Sequence, residues 1–495
     1  MSNPSYLQGG QSRVFIQQNV GPGNMFEYFG CASLDGPSQS KGAVKPVYCP
    51  SSEARNKWEQ VATIRSAPAM GTTGFAQHMS RFLLDPWFEI DEKGCKFNTL
   101  IPLGACQRPD QLSDWDAVIA LVNCYLTDIK LPKLNTDNPD DNSVVDITGT
   151  FSFEQMKRIT RLSFEEQADT ILLSELIAGF YNDVQQCGEC GTPSDGCSKQ
   201  YWLQTANAGS PGKSSQVIYT LNGGSTWAAL DIPSLGGLSG TEMVAFGPYC
   251  VVFSKATNSL VWIKFSDLDA GLTSGWSAVT TGFVAAKGPN AAYVKSGTQA
   301  FIAADGGYIF EMTSPAAGVT VLTDGSITTQ NLNAIDGNAD VIVAVGASNV
   351  VLKSINGGLS FSLLVGPVLT ANLTAVKCIT PSTWFVGGNV GGVGSLWYTN
   401  DYGISWHQIS VGTITTVEDI KFVDELVGYI AVTKGANGYV YRTIDGGTNW
   451  FASAPYIQGL PTNIVIKAVA VCGYNEVTAG GWKTAGGDGL LATAK

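Results

Sequence analysis

The sequence predicts a mainly β protein, in which a β-rich α+β assembly domain precedes a C-terminal β-propeller of six or seven blades. Glycine accounts for 57 of 495 residues and charged residues for only 14%, a composition typical of short strands joined by tight turns. A turn motif of eight residues recurs in the C-terminal part. Strand-like segments lie between its copies, as expected of blades built from consecutive antiparallel strands.

The turn motif reads hydroxyl, any residue, Asp or Asn, any residue, Gly, any residue, polar, aromatic, and its copies begin at Thr220, Ser354, Thr399 and Thr443. We expect the Asp or Asn side chain to accept hydrogen bonds from the backbone of its own turn. The glycine supplies a backbone conformation that other residues disfavour, and the aromatic ring packs beneath the hairpin. The predicted structural residues are Asn222, Gly224, Trp227, Asn356, Gly358, Phe361, Asp401, Gly403, Trp406, Asp445, Gly447 and Trp450.

The spacing of the motif predicts the number of blades. The last three copies lie 45 and 44 residues apart, and the first lies 134 residues, or three such steps, before the second. Two degenerate copies are therefore expected, at residues 266–276 and 313–321. A period of about 45 residues is typical of propellers. Three strands after Trp450 predict one more blade, closed by an outer strand from residues 201–204, so seven blades are favoured over six.

These motifs resemble the Asp-box (BNR) repeats of sialidases and, more closely, the propellers of photosystem II assembly factors. The resemblance covers about residues 200–495. It implies the propeller fold and leaves the activity open, because such repeats occur in enzymes, lectins and scaffolds alike.

The charged residues argue against the enzyme hypotheses. By resemblance, a sialidase site needs three arginines to grip a sugar carboxylate, but Arg442 is the only arginine in residues 200–495. A glycoside hydrolase needs two carboxylates, and most acids here are expected on solvated turns. We predict no enzyme activity, no catalytic residue and no cofactor. The acids considered are Asp267, Asp269, Asp305, Asp336, Asp340, Glu418, Asp419, Asp424 and Glu425.

The charge balance restricts the class of partner. The net charge is −12 and the sequence pI about 4.7, and no basic run is interleaved with aromatics, so sequence-specific nucleic-acid binding is not expected. No run approaches the roughly 18 apolar residues that span a bilayer, and the N-terminus has no signal-peptide pattern. Neither a membrane nor a nucleic acid is a predicted partner.

Cysteines cluster before the propeller. Cys187, Cys190 and Cys197 lie in a predicted Cys-rich linker, residues 186–199, and with a fourth thiolate would suit zinc. The chain has only two histidines, neither near this segment, so a reduced or disulfide-bonded linker is the favoured interpretation. No metal site is predicted.

The N-terminal domain, residues 1–185, contains no copy of the turn motif. Strand-like stretches occur at residues 117–122 and 144–152, and helical spacing occurs at residues 73–84 and 164–173. Long polar segments in this domain are unusual as loops of a compact monomer and favour ordering against neighbouring subunits.

Two segments of this domain carry a further resemblance. Residues 21–31 resemble virion structural proteins of tailed phages, and residues 146–153 resemble tail-tube proteins. The resemblance implies a non-enzymatic virion protein, assembled in the host cytoplasm, whose N-terminal domain polymerises into a ring or tail tube and whose propeller decorates the exterior. Its partners are copies of itself and other virion proteins. The alternatives are a carbohydrate-binding or glycoside-hydrolysing propeller of a host-recognition protein, with a surface glycan as partner, and a cellular assembly factor.

Overall fold

A computed structural model gives the fold as two compact units, Met1–Arg161 and Leu162–Lys495. In the first unit the structure describes residues 15–17, 25–27, 31–39, 60–67, 97–103, 117–130, 147–153 and 155–160. In the second it describes residues 162–166, 176–181, 198–205, 215–235, 240–368, 370–451, 457–458, 460–484 and 488–494.

The described elements of the first unit are all strands, in the sheet order β2-β1-β5-β6-β7-β4-β3, with β8 paired to β6. The long strand β6 pairs with β5 and β8 through its first half and with β7 through its second. The register shifts at Asn123, whose φ is 55° and whose N–H donates to Asn98 Oδ1 at 3.0 Å. The helix expected at residues 73–84 lies outside the described residues. The strands are β1 Phe15–Gln17, β2 Met25–Glu27, β3 Cys31–Gln39, β4 Gln60–Ala67, β5 Phe97–Leu103, β6 Ala117–Lys130, β7 Ile147–Ser152 and β8 Gln155–Thr160.

The second unit is built almost entirely of short strands, with one described α-helix, Phe265–Asp269 (α1). The strands are β9 Leu162–Glu166, β10 Leu176–Tyr181, β11 Gln200–Gln204, β12 Gln216–Thr220, β13 Ala228–Asp231, β14 Glu242–Phe246, β15 Tyr249–Ser254, β16 Ser259–Lys264, β17 Ser277–Val279, β18 Pro289–Ser296, β19 Gln299–Ala304, β20 Tyr308–Ser314, β21 Gly318–Asp324, β22 Leu332–Asn338, β23 Val341–Gly346, β24 Val350–Ser354, β25 Ser362–Val365, β26 Asn372–Cys378, β27 Trp384–Val390, β28 Val393–Thr399, β29 His407–Ile409, β30 Thr416–Phe422, β31 Gly428–Lys434, β32 Asn437–Thr443, β33 Ile457–Gln458, β34 Ile464–Gly473, β35 Glu476–Lys483 and β36 Gly489–Ala494.

These strands form seven antiparallel blades among the described residues. Blades 1 to 5 are β10–β13, β14–β17, β18–β21, β22–β25 and β26–β29, blade 6 is β30–β32, and blade 7 is β34–β36 joined by β9. The innermost strands of successive blades are neighbours, and β34 of blade 7 returns to β10 of blade 1. The ring is closed, which confirms the predicted mainly β fold with a propeller and gives seven blades rather than six.

The strand that completes blade 7 differs from the one expected. Residues 201–204 belong to β11, the second strand of blade 1, and the outer strand of blade 7 is β9. The helix predicted from residue 164 is wrong over residues 164–166, and the remainder of that stretch lies outside the described residues. In β9, buried Leu162 and Phe164 alternate with exposed Ser163, which is the period of a strand.

The propeller therefore begins earlier than residue 200. Strand β10 is the innermost strand of blade 1, and its residues Leu176 and Ala178 are buried. The unit boundary falls between Arg161 and Leu162, whereas the sequence suggested residue 185. Residues 186–197, which include the three clustered cysteines, lie outside the described residues.

A buried tryptophan packs the first blade against the last. Trp202 of β11 is completely buried. A Cβ added to Gly179 would lie 2.3 Å from its indole, and one added to Gly480 of blade 7 would lie 2.2 Å from it. Because core atoms cannot approach so closely, both positions need glycine. The two ends of the ring are thus joined by side-chain packing as well as by β9.

Candidate functional site

The four repeat turns share one hydrogen-bond pattern. The hydroxyl at the first position donates to the Asp or Asn at the third and accepts the N–H of the glycine at the fifth. In the first turn Thr220 Oγ1 lies 3.0 Å from Asn222 Oδ1 and 3.0 Å from the N of Gly224. The third-position oxygen also accepts the N–H of the seventh residue, at distances of 2.9 Å for Asn222, 3.0 Å for Asn356, 2.9 Å for Asp401 and 2.9 Å for Asp445.

The glycine at the fifth position is required by conformation and by space. Its φ is 86° at Gly224, 96° at Gly358, 83° at Gly403 and 87° at Gly447. A Cβ on Gly358 would lie 2.2 Å from Phe301 of blade 3, so the turn of blade 4 packs against the preceding blade. The turns therefore connect neighbouring blades as well as closing their own hairpins.

The aromatic residues of the turns pack to different depths. Trp450 is buried, with ring centroids 6.3 Å from Phe385 and 5.7 Å from Phe422. Trp227, Phe361 and Trp406 are half-buried. All twelve predicted turn residues lie in hairpins of the blades. None of them lies on an innermost strand.

Two turn carboxylates have opposite pKa shifts. Burial raises the pKa of Asp445, although hydrogen bonds from Asn449 and Thr443 oppose this. For Asp401 burial also acts to raise the pKa, but hydrogen bonds from Ser405, Thr399 and Ile404 together lower it to about 2. Asp401 is therefore ionised over the whole range in which the protein would be handled.

Arg442, the only arginine of residues 200–495, and His407, the only histidine there, both have structural surroundings. Arg442 is completely buried, donates to Tyr474 O and to Asn475 Oδ1 at 3.2 Å, and lies 5.6 Å from the Tyr429 ring centroid. His407 is exposed on β29 at the outer edge of blade 5, with its ring 5.1 Å from that of Tyr398. Neither residue lies on an innermost strand.

Most of the candidate acids are held by lysines or by backbone N–H groups rather than opposed to each other. Asp424 Oδ1 accepts two backbone N–H groups, and Asp267 receives the Ser266 hydroxyl at 3.3 Å. Glu425 is exposed. The lysine pairs are Lys199–Asp269 at 3.2 Å, Lys255–Asp305 at 2.8 Å, Lys295–Asp340 at 3.1 Å, Lys377–Asp336 at 3.1 Å, Lys467–Glu418 at 2.7 Å and Lys421–Asp419 at 3.3 Å.

A recurring β-bulge on the innermost strands links neighbouring blades around the channel. Asn290 donates to Leu332 O at 2.8 Å, and Asn333 donates to Leu373 O at 2.7 Å. The register shifts of the paired strands place the bulges at Ile177, Asn290, Asn333, Thr374, Glu418 and Lys467. The bulges were not predicted from the sequence, although Glu418 was among the acids considered, because the shift in alternation that one inserted residue causes is hard to recognise in a short strand.

Five charged residues of the innermost strands form what we call the channel cluster, Glu242, Asp336, Lys377, Asp419 and Lys421. Burial raises the pKa of Glu242 to about 7; Lys421 opposes the shift and Asp419 adds to it. Asp419 raises the pKa of Lys421, burial opposes this, and Glu242 and Asp336 add to it. Carboxylates from blades 2, 4 and 6 thus act on one ammonium group, as expected where innermost strands converge on an axis.

The channel cluster remains in contact with solvent. The Lys421 side chain is 44% exposed, so solvent reaches the ammonium group of the cluster. Glu242 was not among the acids weighed from the sequence. In the sequence, the only feature that marks Glu242 is its position as a single carboxylate at the start of the apolar strand β14.

Other chemistry is limited in the described part of the chain. No group of three or more metal-ligating side chains is found there. Cys124, Cys250 and Cys378 are buried free thiols, Cys472 is disulfide-bonded, and burial raises the pKa of Cys124 to about 12. Among the same residues, no helix is long and apolar enough to cross a membrane.

Comparison with known proteins gives the fold and not a family. No protein-family model and no curated protein matches the sequence. A catalytically inactive virginiamycin B lyase from Staphylococcus aureus, solved with quinupristin, is 11% identical over 68% of this chain and 100% of its own, with a TM-score of 0.50. YCF48 from Cyanidioschyzon merolae is 14% identical over 67% of this chain and 98% of its own, with a TM-score of 0.49. At 11% identity the similarity to the lyase shows the architecture alone, and with the seven blades it identifies the second unit as a β-propeller.

Proposed function

We propose that this chain is a non-enzymatic phage virion structural protein, a tail-tube subunit whose N-terminal unit polymerises and whose propeller is carried on the exterior. The observation that carries the proposal is the self-sufficiency of the propeller. It completes its own last blade with β9, the first strand after the unit boundary. The propeller therefore needs no strand from the N-terminal unit, which suits a displayed module.

Two observations on the N-terminal unit support an assembly role. All of its described elements are strands, and the strands at the two ends of its sheet order, β2 and β3, each pair with a single described strand. Sheet ends are natural sites for strand addition between subunits. The net charge of −12 would repel DNA passing through a tube rather than bind it.

The propeller supports the non-enzymatic part of the proposal. In the repeat turns, the side-chain oxygen at the third position accepts hydrogen bonds from its own hairpin, which is a structural role. Among the described residues, most of the candidate acids bind lysines or backbone N–H groups. These contacts give the carboxylates structural roles.

Negative-stain electron microscopy of the purified full chain tests the proposal. Rings or tubes bearing peripheral discs are the expected result, and they should persist as the protein is diluted. A uniform population of single particles under all conditions would contradict the assembly role.

A second candidate is a ligand-binding propeller of a host-recognition protein, and the channel cluster favours it. Convergent charged groups with a perturbed pKa, such as Glu242, mark binding sites in many folds. A glycan array probed with the full chain and with Lys421→Met tests this candidate. Glycan binding that the substitution abolishes would support it, and no binding by the unsubstituted chain would exclude a glycan on that array as the ligand.

A further inference from the structure

Large exposed apolar side chains concentrate on blades 4 and 5. Leu359 and Ile404, in the repeat turns of these blades, are 84% and 83% exposed, and Leu363 and Val365 of the outer strand β25 are 55% and 78% exposed. Ile355 and Tyr402 of the same turns are also exposed. We call the six residues Ile355, Leu359, Leu363, Val365, Tyr402 and Ile404 the blade 4/5 patch.

The two halves of the blade 4/5 patch are adjacent. A Cβ on Gly403 of the blade 5 turn would lie 2.8 Å from Leu364 of β25. Trp406 Nε1 donates to Val365 O at 3.0 Å, and Lys353 Nζ donates to Tyr402 O at 3.0 Å. The turn of blade 5 therefore lies beside the outer strand of blade 4, which places Tyr402 and Ile404 next to the strand that carries Leu363 and Val365.

The fold does not require these apolar residues. The position occupied by Leu359 and Ile404 is Ser225 in the turn of blade 1 and Thr448 in that of blade 6, and both of those turns form the same hydrogen bonds. The outer strand β13 of blade 1 has Ala229 and Asp231 where β25 has Leu363 and Val365. Exposed apolar surface that folding does not need is typical of an interface.

The charge distribution indicates what covers the surface. Residues 354–400 contain one charged residue, Lys377, and it is paired with Asp336 of the channel cluster. The chain as a whole carries a charge of −12, so most faces of two copies repel each other. The charged residues that border the blade 4/5 patch, Lys353 and Asp401, are of opposite sign, so the patch is locally neutral and lacks the repulsion expected between other faces of two copies.

The outer edge of β25 offers backbone hydrogen-bonding groups to a second copy. In the described part of the chain β24 is the only strand that pairs with β25, although Val365 O at the end of β25 also accepts Trp406 Nε1. An exposed apolar edge strand is a template for pairing with another chain. A strand that pairs antiparallel with its own copy forms a self-complementary two-fold contact.

We propose that the blade 4/5 patch is a two-fold contact between the propellers of two copies of this chain, with β25 paired antiparallel to β25 of the second copy. Leu359, Leu363 and Ile404 pack against the same residues of that copy. This contact goes beyond the proposed tail-tube role, because it joins propellers and makes no use of the N-terminal unit.

Cross-linking of the full chain tests the contact. Leu363→Cys places a thiol near the two-fold axis, and Ala229→Cys is the matched control at the equivalent exposed position of blade 1. With a short bis-maleimide we expect a dimer band from the Leu363→Cys variant several-fold stronger than from the control or from the unsubstituted chain, whose native cysteines give the background. Equal bands from all three would overturn the proposal.

A second variant separates the patch from a general effect on folding. Leu359→Ser and Ile404→Ser, added to the Leu363→Cys variant, copy the turn of blade 1 and should reduce the dimer band to background while the circular dichroism and thermal midpoint are retained. An undiminished band would also overturn the proposal. A two-fold contact gives only dimers on a denaturing gel whether or not rings or tubes form, so its failure is distinguishable from failure of the N-terminal assembly.

Discussion

Side chains at the third position of the repeat turns act within a single hairpin, and their surroundings differ from blade to blade. Asp401 receives several hydrogen bonds near the surface, whereas Asp445 is completely buried. Because the bonds are local, the sequence sufficed to predict the residues involved. The channel cluster was not predictable in this way, since Glu242 and Lys421 are far apart in the chain and meet only in the closed ring.

The hydrogen bonds of Asp401 should contribute measurably to the free energy of unfolding. Asp401→Ala leaves the backbone N–H groups of Ile404 and Ser405 without their acceptor, and we expect a loss of about 1–2 kcal/mol in the free energy of unfolding at pH 7. Asp401→Asn should lose only part of this, because the amide keeps the acceptor, as Asn222 and Asn356 do in blades 1 and 4, but lacks the negative charge that these hydrogen bonds favour. Urea denaturation of the three proteins gives both numbers.

The pKa of about 2 for Asp401 adds a pH signature. A folded-state pKa below the unfolded value stabilises the protein above the unfolded pKa, and this contribution disappears as the pH falls through the folded value. The difference in stability between the unsubstituted chain and Asp401→Asn should therefore shrink between about pH 4 and pH 2. A difference that is constant over this range would contradict the hydrogen-bond explanation.

Glu242 should have the opposite pH dependence. Its pKa of about 7 in the folded protein exceeds the ordinary value of 4.5. Between these pH values the folded protein holds a proton that the unfolded chain releases, so the free energy of unfolding falls as the pH rises. We expect Glu242→Gln to be more stable than the unsubstituted chain at pH 8, on the order of 2 kcal/mol, and equal to it near pH 4. Thermal melts across this range test it, with Glu311→Gln on β20 of blade 3, outside the channel, as control.

At the scale of elements, hairpins were predictable and long-range pairing was not. The repeat turns and the strands between them are neighbours in sequence, so their pairing follows from turn chemistry. Strand β9 pairs with β36 across almost the whole propeller, and nothing near residue 162 indicates that partner. The polar residues after Phe164 fitted a helix equally well, which is why the closing strand and the start of the propeller were placed too late.

Strand β9 should contribute strongly to the stability of the ring. Phe164 is buried and lies opposite Ala494 of β36. Phe164→Ala should cost about 3–5 kcal/mol, through lost burial and the cavity that remains. Ser163→Ala, at the exposed neighbouring position, should change stability by less than about 0.5 kcal/mol. Equal unfolding midpoints for the two variants would mean that β9 does not close the ring.

For the whole molecule, the period of the repeat predicted the closed ring of blades. The distribution of charge indicates which surface of the ring suits contact with a second copy. Seven blades follow from the 45-residue step and from the three strands after Trp450. The fold of the N-terminal unit was not predictable from periodicity, because its sequence contains no copy of the turn motif. Its sheet order depends on pairings such as β1 with β5 and β4 with β7, which join strands distant in sequence.

The central claim is that the N-terminal unit assembles and that the propeller is complete from residue 162. Sedimentation velocity of the full chain and of the fragment 162–495, at the same concentrations, tests it most directly. We predict large, ordered particles for the full chain, and for the fragment a folded species no larger than a dimer. A full chain that sediments as a monomer, or a fragment that is unfolded, would contradict the account.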